Sequence, residues 1–305
     1  MAVLVIIAAL VSAATLLGAC SSPDGGDGRP TIVATTTILG DLVREIVGDT
    51  ARVETLMPPG ADPHDYEPSA AQAAKMRRAA LIVENGLGLE QRLQPAIDAA
   101  ARDGVPVLVV GDHVDPVPLS DDPDVIDPHV WLDPERMSLA ADVVEAEVLR
   151  VVGPDADASA IRANADRYRR AAVTADAEVR QLLASIPAPD RILITNHDAL
   201  GYFARRYGLR VEDVVIPGGS SLAEPSAADI ARLVATIRES GVRAIFSEST
   251  TSSRLPESIA REAGGNVRIV ELNTDTLGRP GQSDSTYAGL LTELARRIAD
   301  GLRSP

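Results

Sequence analysis

Apolar residues in the first third of this chain form short β-rich runs that alternate with amphipathic runs of helical period. The β-rich runs predict strands at Thr31–Thr37, Val53–Leu56, Ala80–Val83 and Val105–Val110. The runs between them predict helices at Ile38–Val47, Ser69–Arg78 and Leu89–Ala101. Such alternation is typical of a parallel sheet that is covered by helices on both faces.

The last third of the chain repeats this pattern after an acidic, proline-containing stretch, Asp112–Asp127, that predicts a loop. Strands are predicted at Arg191–Thr195, Val211–Val215, Ala244–Ser247 and Val267–Leu272. Helices are predicted at Ala199–Tyr207, Ser226–Ser240, Leu255–Ala263 and Ser285–Leu302. A second parallel sheet with flanking helices is therefore expected.

Between these regions, residues 155–185 contain neither glycine nor proline, and their apolar residues recur every three or four positions. This spacing predicts one long helix with a single apolar stripe: Ile161, Ala165, Tyr168, Ala172, Ala175, Val179, Leu182 and Ile186. A coiled-coil dimer is the alternative. The stripe is narrow and rich in alanine, which favours packing against both halves of the same chain and a monomeric protein.

These elements predict an α/β fold of two lobes, each a mainly parallel sheet flanked by helices, joined by one long rigid helix. The expected boundaries are 31–153 for the first lobe, 154–187 for the connecting helix and 188–305 for the second lobe. A chain of 305 residues is longer than one typical core requires, which agrees with two lobes. The net charge of −15 argues against nucleic acid as a partner.

The beginning of the chain has the composition of an export signal. Residues 2–19 are uncharged and mostly apolar, and they end at Cys20, the single cysteine. Such a span is short for a membrane helix and suits a secretory signal. Leu17-Gly18-Ala19-Cys20 resembles a bacterial lipobox, and residues 21–30 resemble a flexible tether. We expect a signal peptide at 1–20 and lipidation of Cys20 at the outer face of the cell membrane; a free or buried thiol is the alternative.

Three of the four histidines lie in similar polar motifs. These motifs are Asp62-Pro63-His64-Asp65, Asp127-Pro128-His129-Val130-Trp131 and Asn196-His197-Asp198. Imidazole is the commonest metal-ligating side chain, and ligands of parallel sheets lie beyond the carboxyl ends of the strands. His64 and His197 follow predicted strands, which predicts a metal site between the lobes. His113 lacks such a motif and is expected to be an exposed loop residue.

Three imidazoles suit zinc, iron, copper or nickel, and a carboxylate ligand would admit manganese more readily. Asp284 is the acidic candidate, although its position before the last helix is also typical of a helix N-cap. Asp65, Asp198 and Glu248 are candidates for orienting the imidazole rings. Because neutral imidazole is the binding form, we expect metal affinity to fall below about pH 6.5.

Six motifs follow one another along the chain: Gly60-Ala61-Asp62-Pro63-His64, Asn85-Gly86-Leu87-Gly88-Leu89-Glu90, Asp127-Pro128-His129-Val130-Trp131-Leu132-Asp133-Pro134, His197-Asp198-Ala199-Leu200-Gly201-Tyr202, Glu224-Pro225-Ser226 and Asp284-Ser285-Thr286-Tyr287. In the order of these motifs the chain resembles the metal-binding substrate-binding lipoproteins of bacterial ABC importers for zinc and manganese, the cluster A-I or TroA/ZnuA-like proteins. The resemblance covers about residues 31–303.

The resemblance implies two lobes with the metal between them, bound by His64, His129, His197 and Asp284, and delivery of the ion to a membrane permease. It implies no organic cofactor. A histidine as third ligand favours zinc in this family, where glutamate is associated with manganese. The acidic stretch Asp112–Asp127 departs from the histidine-rich loop of many zinc-specific members, so zinc and manganese both remain open.

Two other functions stay open at this point. A secreted metallohydrolase would use the same site with Glu248 as the general base, although the chain contains no His-Glu-x-x-His motif. A surface adhesin is the other alternative, because some members of the family have been linked to cell adhesion.

Overall fold

The first lobe is built on a four-stranded parallel sheet. A computed structural model of the chain describes residues 28–119, 122–154, 156–216, 218–264 and 267–303. The strands are β1 (Thr31–Ala34), β2 (Arg52–Thr55), β3 (Leu81–Glu84) and β4 (Val107–Val109), and the helices are α1 (Thr37–Val47), α2 (Ala70–Met76) and α3 (Gln94–Arg102). The order of the strands in the sheet is β2-β1-β3-β4. Every residue of β3 is buried, because helices cover both faces of the sheet.

The segment that leads from the first lobe to the connecting helix contains more structure than its composition predicts. The predicted loop Asp112–Asp127 contains a short antiparallel pair with a register shift, β5 (Pro118–Leu119) and β6 (Asp122–Ile126). Acidic residues and prolines disfavour strands, so this pair gives no hydrophobic alternation that the sequence could reveal. Helix α4 (Pro134–Val152) follows, with Asp133 as its N-cap.

The predicted connecting helix is present as α5 (Ala158–Ala184), which has 27 residues and a length of about 40 Å. Its buried stripe is the predicted one except that Leu183 is buried where Leu182 was expected; Leu182 is only partly buried. The helix packs against α1 and α4 on the first lobe and against the second lobe through α6 (Gly201–Tyr207) and α9 (Tyr287–Arg303). One helix therefore braces both lobes.

The second lobe contains a second four-stranded parallel sheet. Its strands are β7 (Ile192–His197), β8 (Arg210–Ile216), β9 (Ala244–Glu248) and β10 (Arg268–Leu272), and its remaining helices are α7 (Ala227–Ser240) and α8 (Arg254–Ala263). The order of the strands in this sheet is β10-β9-β7-β8. The predicted α/β fold of two lobes is thus confirmed. The carboxyl ends of β7, β9 and β10 lie side by side at the edge that faces the first lobe.

Hydrogen bonds from the second lobe hold the segment between β6 and α4. The indole Nε1 of Trp131 donates to the carbonyl of Thr274 at 2.7 Å, and the Tyr287 hydroxyl donates to the carbonyl of Trp131 at 2.9 Å. The Tyr202 hydroxyl donates to the carbonyl of Asp127 at 3.0 Å. His129 belongs to the first lobe by sequence, but its segment is attached at both ends to the second.

None of the helices among the described residues combines the length and the apolar character that crossing a membrane requires. Residues 1–27, which include Cys20 and the predicted signal peptide, lie outside the described residues.

Candidate metal centre

The three predicted histidines meet between the lobes. His64, His129 and His197 are each 0% exposed. The ring centroid of His64 lies 5.5 Å from that of His129 and 5.5 Å from that of His197, and the other two rings are 5.0 Å apart. A ligand nitrogen of each ring lies within 4.8 Å of the others, which is close enough for one ion to contact all three.

Each histidine is placed by local structure that its motif explains. His197 is the last residue of β7, so its side chain projects from the carboxyl end of the sheet. The two Asp-Pro-His motifs form the same turn: Asp62 Oδ1 accepts the backbone N–H of His64, and Asp127 Oδ1 accepts that of His129, each at 2.9 Å. The aspartate two residues before each histidine therefore fixes the backbone position from which the imidazole side chain projects.

Two carboxylates set the tautomers of two of these rings. Asp127 Oδ1 lies 2.8 Å from His129 Nδ1, and Glu248 Oε2 lies 2.6 Å from His197 Nδ1. A carboxylate accepts the proton of Nδ1 and leaves the lone pair on Nε2. The Nε2 atoms of His129 and His197 face each other at 3.1 Å. Zinc binds imidazole nitrogen at about 2.0–2.1 Å, so one ion could contact two nitrogens at this separation.

Two further groups beside these rings carry buried polar atoms without hydrogen-bond partners. Among the described residues, neither ring nitrogen of His64 has a hydrogen-bond partner, and Asp275 Oδ1 has none either. Asp275 is 3% exposed and lies with His197 and Glu248 in a second group of converging ligand atoms. Buried polar atoms without partners are costly, so their convergence indicates a ligand.

The structure brings Asp275, and not the predicted Asp284, to the histidines. Asp284 is partly exposed, and its Oδ2 accepts a hydrogen bond from the side-chain nitrogen of Asn273 at 2.8 Å. Asp275 follows β10 by three residues, at the carboxyl end of a strand beside β9. Asp275, like His197, lies at the carboxyl end of a parallel strand, where ligands of such sheets bind. This position was the sequence signal that could have identified Asp275.

Not all of the residues expected to orient the imidazole rings contact one. Glu248 contacts His197 as expected, whereas Asp65 forms a surface ion pair with Arg92 at 2.8 Å. Asp198 is partly buried and lines a cavity with Asp127 beside α6. Asp127 was missed as an orienting residue, although the repeated Asp-Pro-His motif marks it.

Comparison with known proteins identifies the family of this chain. The family model described as "ZnuA: Zinc-uptake complex component A periplasmic" matches residues 32–301. The chain belongs to this family. It is 34% identical over 278 residues to the zinc-binding protein TroA of Treponema pallidum, which spans 89% of the present chain and 88% of the relative. It is 29% identical over 313 residues to the manganese-binding lipoprotein MntA of Bacillus subtilis, covering 98% and 99% of the two chains.

The fold of this ZnuA-family protein matches a solved structure of the same relative. The periplasmic zinc-binding protein TroA from Treponema pallidum superposes with a TM-score of 0.84 at 32% identity. The match covers 91% of this chain and 100% of that one. The two-lobed arrangement is therefore that of a metal-binding relative over nearly the whole described chain.

Burial and neighbouring charges give the three imidazole rings of this family member different pKa values. Burial, together with the charges of the neighbouring histidines, lowers the pKa of His64 and of His129 to about 3. Burial also lowers the pKa of His197, but the charge and hydrogen bond of Glu248 and the charge of Asp275 outweigh it and raise this pKa to about 9. Burial and the charge of Glu248 raise the pKa of Asp275. At neutral pH one imidazolium, at His197, is therefore expected in the metal-free cluster.

Replacing Glu248 by glutamine is expected to weaken zinc binding about 10- to 100-fold, because His197 loses the carboxylate that orients it and makes it more basic. Competition titration with a chelator measures the change. Glu271→Gln is the matched control, because Glu271 is exposed on the neighbouring strand β10. Equal zinc affinity in Glu248→Gln and the wild type would contradict an orienting role.

Proposed function

We propose that this protein binds zinc or manganese outside the cytoplasm with high affinity and delivers the ion to the membrane permease of an ABC importer. The observation that carries the proposal is the convergence of three buried imidazoles, His64, His129 and His197, whose ligand nitrogens all lie within 4.8 Å of one another. The names of the relatives, zinc-binding for TroA and manganese-binding for MntA, support both ions.

The proposed ligands are one ring nitrogen of His64, the Nε2 atoms of His129 and His197, and Oδ1 of Asp275. Three imidazoles and one carboxylate oxygen form a complete four-ligand shell for zinc, and they also accept other divalent transition ions. Asp127 and Glu248 act on the ion indirectly, because each accepts the Nδ1 proton of a ligand ring.

We propose binding without catalysis. A metallohydrolase needs a base that can reach a metal-bound water. Glu248, the candidate base, accepts hydrogen bonds through Oε2 from His197 and from the side-chain nitrogen of Asn196, the latter at 3.2 Å. This engagement supports an orienting role for Glu248, and the relatives are named for metal binding rather than for a reaction.

For the location of the protein, we propose a signal peptide at 1–20, lipidation at Cys20, a tether at 21–30 and attachment to the outer face of the cell membrane. The designation of the relative MntA as a lipoprotein supports this part. The lobes are proposed at 31–153 and 188–305 with the connecting segment at 154–187, acting as a monomer.

Calorimetric titration of the purified protein with zinc and with manganese tests the proposed function, together with elemental analysis of the protein as isolated. One ion per chain is expected, with a dissociation constant far below that of an ion bound weakly by carboxylates on the protein surface. Competition between the two ions ranks them. Binding of neither ion, or metal-dependent hydrolysis that Glu248→Ala abolishes, would contradict the proposal.

The pKa values of the rings predict how binding depends on pH. Because the pKa of His197 is about 9, the metal displaces its proton, and affinity should fall about tenfold per pH unit from pH 9 to pH 7. The same proton stabilises the metal-free fold below pH 6.5, and this contribution is lost as the pH rises through 9.

Calorimetry at pH 8 in buffers of different ionisation enthalpy measures the protons released on binding. About one proton per ion is expected. Three histidines with ordinary pKa values near 6.5 would release almost none at this pH, so a value near zero would contradict the raised pKa of His197.

A further inference from the structure

The two carboxylate oxygens of Asp275 have different surroundings. Oδ1 is buried without a hydrogen-bond partner among the described residues, and Asp275 forms a group of converging ligand atoms with His197 and Glu248. Oδ2 accepts a hydrogen bond from the hydroxyl of Thr250 at 3.1 Å. Thr250 contacts none of the imidazoles through a hydrogen bond, and it lies in the turn that follows β9. Its hydroxyl therefore acts on the site through Asp275.

We infer that the Thr250 hydroxyl tunes the choice of metal by restricting Asp275 to a single coordinating oxygen. The inference rests on the proposed function and names a specificity-determining residue of the same site. With Oδ2 engaged, the site offers three nitrogens and one oxygen, which is the tetrahedral number that zinc prefers. Manganese prefers more ligands and more oxygen, in octahedral geometry. Freeing Oδ2 would let the carboxylate chelate and would raise the coordination number.

The turn that carries Thr250 is held at both neighbouring residues. The backbone N–H of Ser249 donates to the carbonyl of Leu272 at 2.8 Å, which ties the turn to the end of β10. The hydroxyl of Thr251 accepts from the side-chain nitrogen of Asn196 at 2.7 Å, which ties the turn to β7. Thr250 consequently has little freedom to move away from the carboxylate.

Asp275 is held from its other side as well. The carbonyl of the preceding residue, Thr274, accepts the hydrogen bond from Trp131 Nε1. The hydroxyl of the following residue, Thr276, lies 3.1 Å from that of Thr37 on the first lobe. Because Asp275 is only 3% exposed, solvent cannot readily replace the Thr250 hydroxyl at Oδ2. The fixed backbone around Asp275 and the fixed hydroxyl of Thr250 together leave Oδ1 as the one carboxylate oxygen of Asp275 that is free to bind the metal ion.

The test compares Thr250→Val, which removes the hydroxyl at nearly constant shape, with Thr250→Ser, which keeps it. Zinc and manganese dissociation constants are measured by competition, and zinc coordination by X-ray absorption. In Thr250→Val, we expect manganese affinity relative to zinc to rise about tenfold, the size of one hydrogen bond to a charged group. Zinc coordination should rise from four to five. Thr250→Ser should behave like the wild type.

Several outcomes would overturn the inference. An unchanged zinc-to-manganese ratio and zinc coordination in Thr250→Val would overturn it while the proposed function stands. An equal loss of both affinities would do the same, because it indicates a purely structural role. Five-coordinate zinc in the wild type also overturns it. Failure of the wild type to bind either ion overturns the proposed function and this inference together. If Thr250→Val does not fold, Thr250→Ala provides the same comparison.

Discussion

Replacing Asp275 by alanine is expected to weaken zinc binding roughly 100- to 1,000-fold. Structural zinc sites bind with about 10–16 kcal/mol, so each of four ligands contributes about 3 kcal/mol. Asp275 is the only carboxylate in the proposed ligand set, and its loss also removes the negative charge that faces the imidazoles. Competition titration against a chelator of known zinc affinity measures the change.

Asp284→Ala is the matched control for this prediction. Asp284 lies in the same connection between β10 and α9, but its carboxylate contacts Asn273 instead of the histidines. Zinc affinity in this variant should remain close to that of the wild type. The opposite result, a large loss in Asp284→Ala and none in Asp275→Ala, would return Asp284 to the ligand set and contradict the site geometry described above.

The second large effect is expected at His64. His64 is fully buried, and neither ring nitrogen has a hydrogen-bond partner among the described residues, so metal binding is the interaction left to explain its position. His64→Ala should lower zinc affinity by a factor similar to that of Asp275→Ala. Thermal unfolding with and without zinc measures this directly, because the stabilisation by zinc follows its affinity. The shift in Tm that zinc produces should shrink by most of its size.

His113→Ala is the control for this substitution. His113 is exposed at the end of a short 3-10 turn after β4, and its ring has no place in the group of converging nitrogens. The zinc-dependent shift in Tm should match that of the wild type. An equal loss in His113→Ala and His64→Ala would mean that zinc stabilises the protein through the surface rather than through the cleft.

The architecture of the lobes could be predicted from sequence because the signals are local. The strands of the two large sheets contain short runs of β-branched or other apolar residues, and α5 carries a stripe that the helical period makes visible. The hairpin of β5 and β6 was missed because it is acidic and only two residues of β5 pair. Its pairing depends on contacts that no local pattern encodes.

The site was predictable in part. The histidines were identified by their motifs and their place beyond predicted strands, whereas the acidic residue was assigned to Asp284 by resemblance. Distinguishing Asp275 from Asp284 requires the path of the chain after β10. That path is set by bonds such as the one from Trp131 to Thr274, which joins residues 143 positions apart in sequence. Pairings of this kind arise only in the folded chain.

Because the site is completely buried, the affinity for an ion and the rate at which the ion is released depend on different interactions. His64, His129 and His197 are 0% exposed and Asp275 is 3% exposed, so water cannot reach a bound ion and assist its departure. Release then requires the lobes to part, and its rate depends on the contacts that join them, such as Trp131 with Thr274 and Tyr202 with Asp127. Two ions of different affinity would therefore leave at similar rates, because the parting of the lobes limits both, and a permease that separates the lobes would control the timing of delivery.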